Sequence, residues 1–341
     1  MNLKEFAAHI GLSQTTVSRA LSGYPEVRKE TRERILKAAE EVGYRPNTSA
    51  RNLATGRAGA VGLVFRGGAN FGPQSSEFMG GLSSRLQCDG TDILVSTVET
   101  LTAEIDVYRR FAASKRVDAV ILHTPAVNDP RIALLQDLGL PFVVHGRSDA
   151  EKPFAFLDID NYGAIAQAAA HLLDLGHRRI ALINGDVRST YASDRDRGYR
   201  DTLRARGLPM DEDLQAHGEF TDETGFRLTQ AFLRLDAPPT AIIAGSMMSA
   251  LGAMRAVRIA GLSIGRDISL VAHDDVFPYL SPDNLVPTVS TTRSPIRDAG
   301  WRIGEMVLAL LKGNDPASLQ EVWPVELVIR DSTARAPRLR P

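Results

Sequence analysis

The sequence predicts an N-terminal all-α helix-turn-helix head followed by an α/β body of two doubly wound lobes. Three observations predict it. Residues 1–60 hold short helical periodicities separated by Gly-containing turns. From residue 60 onward, apolar β-branched runs alternate with amphipathic stretches, the pattern of parallel sheets covered by helices on both faces. Charge divides at the same place. Residues 1–60 carry 10 Lys and Arg against 6 Asp and Glu, the rest carries 30 against 35, and the whole-chain net charge is −1. A small basic head on a larger acidic body is the asymmetry of a nucleic-acid-reading module joined to something else.

In the head, Leu3, Phe6, Ala7 and Ile10 recur at helical spacing, and Gly11 ends the run. Ser13 stands at an N-cap position before a second short helix that starts near Gln14. At 100° per residue, Val17, Ala20 and Leu21 share one side of that helix, while Thr15, Arg19 and Ser22 point the other way. A longer loop leads to Ile35, Ala38, Ala39 and Val42 on one stripe, with Gly43 at the C′ position. Helix, tight turn and helix form the arrangement whose second helix enters the DNA major groove, so the polar face of the second helix is one that DNA would cover. Next comes YRPNTSARNLATGRAG, with Pro46 as a stop, Asn47 as a cap and Gly56 as a terminator. About two turns lie between, too few to be stable alone in water. The segment reads either as a linker or as a helix that orders only against DNA and a partner copy.

In the body, strand runs occur at AVGLVF (60–65), DILVST (92–97), VDAVILH (117–123), PFVVHG (141–146), RIALING (179–185), TAIIAG (240–245) and ISLVAH (268–273). Amphipathic stretches such as 77–88, 161–175, 195–206 and 246–260 lie between them. That many units over the remaining chain predict two lobes, with a ligand at the carboxyl ends of the strands in the cleft between them. Cys88 is the only cysteine, which excludes an internal disulfide and a cysteine metal cluster. Lys4, Glu5 and His9 interrupt the N-terminal apolar residues, so no signal peptide is expected, and no apolar run nears the roughly 18 residues of a membrane span. The expected location is the cytoplasm, with no membrane partner. His273, Asp274 and Asp275 could start a metal site, but no further histidines stand at ligand spacing. There is no dinucleotide fingerprint, no nucleophile elbow and no phosphate-binding loop, so neither an enzyme nor a cofactor is expected.

The segments LKEFAAHIGLSQTTVSRALSG, VRKETRERILKAAEEVGYRPN, ARNLATGRAGAVGLV, LLDLGHRRIALING, DRDRGYRDTL, SALGAMRAV, ISLVAHDD and STTRSPIRDAG carry a resemblance. The chain resembles the lactose/galactose-repressor (LacI/GalR) family over the whole head and through the body to near residue 330. The resemblance implies a transcriptional regulator, expected to be a repressor. Its parts would be a DNA-binding domain at 1–46, a hinge helix or linker at 47–58, and a two-lobed periplasmic-binding-protein-like (type I) effector domain. The first lobe is expected at 59–158 and 289–318, and the second at 159–288 and 319–341.

Carried over by position, Gln14, Thr15 and Arg19 match base-contacting positions; an arginine suits guanine O6 and N7. Thr16 and Ser18 match phosphate contacts. Leu53 matches the hinge leucine that wedges into the minor groove, flanked by Asn47, Ala50 and Arg51. The family usually has Asn where Ser22 stands and Ser where Arg28 stands. In the body, Arg195 and Asp274 match donor and acceptor for sugar hydroxyls, and Phe220 matches an aromatic platform. Tyr191, Asp160, Arg147, Ser246 and Met247 join the expected effector wall, the last two in a GSMMS stretch where the family often has Asn-Asp. Purine-binding members carry two adjacent aromatics where this chain reads GPQSSE, and Gln74 and Ser75 suit hydroxyls better, although Phe71 keeps a purine in play.

The implied partners are a pseudo-palindromic double-stranded DNA operator, a second copy of the chain and a small sugar effector, an α-glucoside or other disaccharide. The family's tetramers append a leucine-heptad helix, and DSTARAPRLRP holds none, so a homodimer is expected. The competing readings are the same regulator with a purine or sugar-phosphate effector, and a sugar-binding protein of transport type.

Overall fold

The computed structural model describes residues 1–21, 24–44, 56–67, 73–273, 277 and 279–337. The chain forms two compact units, residues 1–59 and 60–341. In the first, helices α1 (Leu3–His9), α2 (Gln14–Leu21) and α3 (Lys29–Glu41) enclose a small core. Helix α1 opens on a capping box in which the Asn2 side chain accepts from the Glu5 N–H and the Glu5 carboxylate accepts from the Asn2 N–H. Ser13 caps α2 as expected, its Oγ accepting from the Thr16 N–H at 3.1 Å. Gly43 follows α3 with φ +65°, the left-handed C′ residue the sequence predicts. Phe6, Val17, Ala20, Ile35 and Ala39 are buried together, and Tyr44 stacks on Phe6 with ring centroids 4.3 Å apart. Val42, expected on the same stripe, is exposed.

The second unit holds two 6-stranded sheets. The first is built from β1 (Ala60–Arg66), β2 (Asp92–Val98), β3 (Ala119–His123), β4 (Phe142–His145), β5 (Ala155–Ile159) and β11 (Gln320–Trp323), in the order β11-β5-β4-β3-β1-β2. All its pairings are parallel. One face is covered by α4 (Pro73–Gln87) and α11 (Ile296–Leu311), the other by α5 (Leu101–Ser114) and α6 (Pro130–Asp137). Helices α4 and α11 meet backbone to backbone. A Cβ on Gly81 would stand 1.9 Å from the Arg297 carbonyl oxygen, and one on Gly300 would stand 2.1 Å from that of Phe78.

The second sheet contains β6 (Ile180–Asn184), β7 (Gln215–His217), β8 (Ala241–Ala244), β9 (Ser269–His273), β10 (Ser290–Arg293) and β12 (Glu326–Val328), in the order β12-β10-β9-β8-β6-β7. Only β12 runs antiparallel to its neighbour. Helices α7 (Asn161–Asp174) and α8 (Thr190–Ala205) cover one face, and α9 (Asp222–Leu233) and α10 (Met247–Ile259) the other. Two doubly wound lobes are thus present, as predicted.

The lobe boundaries need correction. The expectation put 289–318 in the first lobe and 319–341 in the second. Strand β10 instead pairs with β9 in the second sheet, and β11 pairs with β5 in the first. The chain therefore crosses between lobes three times, at β5–α7, β10–α11 and β11–β12. Strands β10 (STTR) and β11 (QEVW) are short and polar, so no apolar pattern of their own marks which sheet they join.

Candidate functional site

Helix α2 buries Val17 and Ala20 and leaves Gln14, Thr15, Ser18 and Arg19 exposed. Because buried and exposed positions interleave at helical spacing, the four polar side chains share the solvent face. Thr16 is half-buried, and its hydroxyl shares a 2.8 Å bond with that of Ser13, so part of its role is to fix the helix start. Ser22, Asn47, Ala50, Arg51 and Leu53 lie outside the described residues.

In the body, a cleft of ≈ 980 Å³ runs between the carboxyl ends of both sheets. Four aromatic rings, Phe65, Phe78, His123 and His145, stand together in its first-lobe wall. His123 and His145, paired across β3 and β4, share a hydrogen bond between their Nδ1 atoms at 3.0 Å. Phe78 stacks on His145 with centroids 4.4 Å apart, and Phe65 meets His123 edge-on at 5.6 Å. Burial, with the Arg131 charge, pushes His123 down to about 4; burial and the neighbouring His123 hold His145 well below the usual histidine range. Both rings are therefore neutral at pH 7. Beneath them Arg131 is fully neutralised, bonding Glu104 at 2.6 Å and Asp129 at 2.6 Å, while Tyr108 donates to Glu104 at 2.7 Å.

The second-lobe wall is organised by Arg195, which projects from α8. Its Nε donates to Asn161 Oδ1 at 2.8 Å and its Nη1 to the Gly245 carbonyl at 3.0 Å. The guanidinium lies 4.9 Å from the Tyr191 ring centre and 5.7 Å from that of Phe220, within cation–π range of both. The Tyr191 ring fits because residue 185 is glycine: a Cβ there would come 2.3 Å from its hydroxyl oxygen. His273 at the end of β9 bonds Thr292 at 2.7 Å, and burial with the Arg195 charge keeps it neutral.

The two lobes are latched beside the cleft. Ala126 and Ser189 form an antiparallel bridge, with the Val127 N–H donating to Arg188 and the Thr190 N–H to Pro125, both at 3.0 Å. Arg147 reaches Asp158 of its own lobe at 3.0 Å and Asp194 of the other at 2.9 Å. Burial pushes the Asp158 carboxyl up to about 6 against the pull of Arg147, and the Asp194 charge adds to the rise.

Residues 2–47 match the model of the lacI family of bacterial regulatory proteins, and residues 169–333 match that of the periplasmic binding protein-like domain. The chain is 46% identical over 344 residues to the HTH-type transcriptional regulator AglR of Rhizobium meliloti, covering 100% of this chain and 96% of the relative. The chain belongs to the lacI family. It is a DNA-binding transcriptional regulator. The lac repressor dimer bound to operator and the anti-inducer ONPF superposes with a TM-score of 0.84 at 26% identity, over 98% of this chain and 99% of that one. The complex of the transcriptional regulator CelR with cellobiose superposes with a TM-score of 0.73 at 28% identity, over 97% and 99%. Among the described residues of this lacI-family chain, no helix is long and apolar enough to cross a membrane.

Of the expected effector residues, Gln74, Ser75, Tyr191, Arg195, Phe220 and Ser246 line the cleft, although the Ser246 hydroxyl is engaged in capping α10. Three expectations are corrected. Asp160 caps α7 through the Gly163 N–H at 2.8 Å and is not a cleft residue. Met247 is fully buried in the core under α10, and the next residue, Met248, faces the cleft instead, because a helix turns by 100° at each step. Arg147 is held in the interlobe ion pairs and does not line the cleft. Asp274 and Phe71 lie outside the described residues.

The site also contains His123, His145 and Asp158, which sequence reasoning passed over, and His273, which it weighed only as part of a metal site. A signal was available. The runs VILH, VVH and VAH each end an apolar strand in histidine, at the carboxyl end where ligands of parallel sheets bind.

Proposed function

We propose that this lacI-family regulator is a repressor that binds an inverted-repeat operator as a dimer and releases or retains it according to a neutral disaccharide held in the cleft. The observation that carries the effector reading is the charge balance of the cleft. Arg66, Arg131, Arg188 and Arg195 line it, but so do Glu99, Asp158, Asp186 and Glu219. Arg131 is matched by Glu104 and Asp129, and Arg188 by Asp186 at 2.5 Å. Such a cleft favours an uncharged polar ligand over a phosphate ester, which would need a surplus of cation. Its ≈ 980 Å³ is at the upper end of the usual range for small-molecule sites, about 300–1,000 Å³, which suits two linked rings better than one. Phe220 and Tyr191 supply apolar faces for a pyranose, and Arg195 a fixed donor.

The relative CelR was solved with cellobiose and the lac repressor dimer with operator, which supports a sugar effector and a dimer on DNA. The likeness to α-glucoside-responsive members makes an α-linked disaccharide the first choice. The protein acts by binding alone, without catalysis, in the compartment that holds its DNA.

Calorimetry with maltose, sucrose, trehalose, cellobiose, glucose 6-phosphate, hypoxanthine and guanine tests the effector. Neutral disaccharide binding at micromolar affinity is expected, abolished by Arg195→Ala while operator binding persists. A purine or a sugar phosphate binding at that affinity, with every neutral sugar silent, overturns the carbohydrate reading.

A further inference from the structure

We infer that His123 and His145 act together as a paired donor and acceptor that reads two hydroxyls of one sugar ring, and so sets which sugar the cleft accepts. The inference rests on the carbohydrate reading of the cleft and goes beyond it by assigning a specificity subsite.

The argument starts from proton counting. The two Nδ1 atoms lie 3.0 Å apart, so one must carry the hydrogen and the other offer a lone pair. A neutral imidazole carries a single N–H. The ring that donates at Nδ1 therefore has a bare Nε2 acceptor, and the ring that accepts at Nδ1 must carry its hydrogen on Nε2. One bond between the rings thus forces opposite characters on the two remaining nitrogens. In the opposite arrangement the second ring donates at Nδ1, its Nε2 having given a hydrogen to solvent while the first ring's Nε2 has taken one up. Both characters are then inverted together, and with both rings neutral one donor and one acceptor always remain.

Three observations place this device in recognition and not in the core. Both rings line the cleft. Neither Nε2 has a hydrogen-bond partner in the protein among the described residues, so their capacity is left for a ligand or water. The rings are also held in place: His145 stacks on Phe78 at an interplanar angle of 5°, and Phe65 abuts His123. A hydroxyl can donate or accept, so a sugar satisfies the pair in either proton arrangement. A phosphate offers acceptors only and an ammonium donors only, and each leaves one Nε2 unmatched. A first added proton would go to the bare Nε2 and leave two donors with no acceptor. A second would put hydrogens on both Nδ1 atoms and break their bond, and burial disfavours both states.

The test combines calorimetry on the full chain with side-chain nitrogen NMR. His123→Phe and His145→Phe keep a flat ring and remove the polar atoms. Each is expected to weaken the disaccharide that the wild type prefers by about ten- to hundredfold, since a buried hydroxyl loses its partner. In the wild type, removing one recognised hydroxyl from that sugar, scanned through its monodeoxy derivatives, should cost a similar factor. In the matching Phe variant the same deletion should cost almost nothing further. Long-range ¹H–¹⁵N spectra of the wild type should show one ring protonated at Nδ1 and the other at Nε2, with both Nε2 signals moving on sugar addition. These spectra need no variant, so a Phe substitution that fails to fold leaves the inference open to refutation. If the wild type binds a sugar but the Nε2 signals stay fixed, or the deoxy losses are unchanged in both Phe variants, the subsite assignment is wrong and the carbohydrate reading stands. If no carbohydrate binds the wild type, the carbohydrate reading itself falls and the subsite with it.

Discussion

Replacing Asp158 by Asn should stabilise the body, and by an amount that depends on pH. Asp158 is 4% exposed, its carboxylate 3.0 Å from Arg147, which it shares with Asp194. Burial, reinforced by Asp194, lifts its pKa from the usual 3.8 to about 6 despite Arg147. The folded protein therefore holds this proton more tightly than the unfolded chain does. Below pH 4 both states are protonated and the site costs nothing. Between about 4 and 6 the folded state keeps a proton that the unfolded state has lost, so stability falls as pH rises. Above 6 both are ionised and the folded state bears the full penalty. At about 1.4 kcal/mol per pH unit, that penalty is on the order of 3 kcal/mol. Asn cannot ionise, yet its Oδ1 can still accept the Ile159 N–H that now reaches Asp158 at 2.9 Å. The stability advantage of Asp158→Asn should grow from near zero at pH 4 to about 2–3 kcal/mol at pH 7.5. Urea unfolding of both proteins across this range, followed by tryptophan fluorescence, measures it, since Trp301 and Trp323 both lie in the body. A difference that stays constant with pH, or a variant less stable than wild type at pH 7.5, would refute the reasoning.

Arg147→Ala leaves Asp158 and Asp194 facing each other without their shared cation; it should destabilise the body by about 3 kcal/mol at pH 7.5 and distinctly less at pH 5, read by the same unfolding curves. Gly81→Ala drives a methyl group into the Arg297 carbonyl and should cost about 1–3 kcal/mol or more, seen as a lower melting temperature. Arg19→Ala should weaken operator binding by about 1–3 kcal/mol and relax preference at one base pair of each half-site, measured by footprinting and competition on mutated operators. A footprint with no preference for an inverted repeat would contradict the operator assignment.

The head was almost wholly legible because its three helices obey local rules: Ser13 caps, Gly43 terminates, and Phe6, Val17 and Ile35 share one core. Every apolar strand run predicted in the body is a strand. The strands β5, β7, β10, β11 and β12 were not predicted: β7, β10, β11 and β12 are short and carry Gln, Ser, Thr or Glu, and in β5 an Asp interrupts the apolar run. Three of them, β7, β11 and β12, are edge strands, held by pairing with one neighbour and not by an apolar pattern. In the cleft, Arg195 and Phe220 were reached through the resemblance. Arg147 and Asp160 were misplaced because a charged residue at a strand end looks the same in sequence whether it faces a ligand, an ion pair or a helix terminus. Only the fold shows that Arg147 has two carboxylates beside it and that Asp160 has a helix to cap.

The triple crossing between the lobes determines which parts of this regulator can be exchanged. The head is one contiguous stretch, so a single recombination event could replace it and redirect the protein to another operator. Neither lobe can be exchanged in that way, because the first sheet is completed by residues 320–323 and the second by residues 290–293 and 326–328, woven through one another along the chain. On the ribosome, both lobes await residues 320–328 before their sheets close. Ancestry should therefore look different in the two halves: operator preference can change by cassette, whereas a new effector has to be acquired one strand-end side chain at a time.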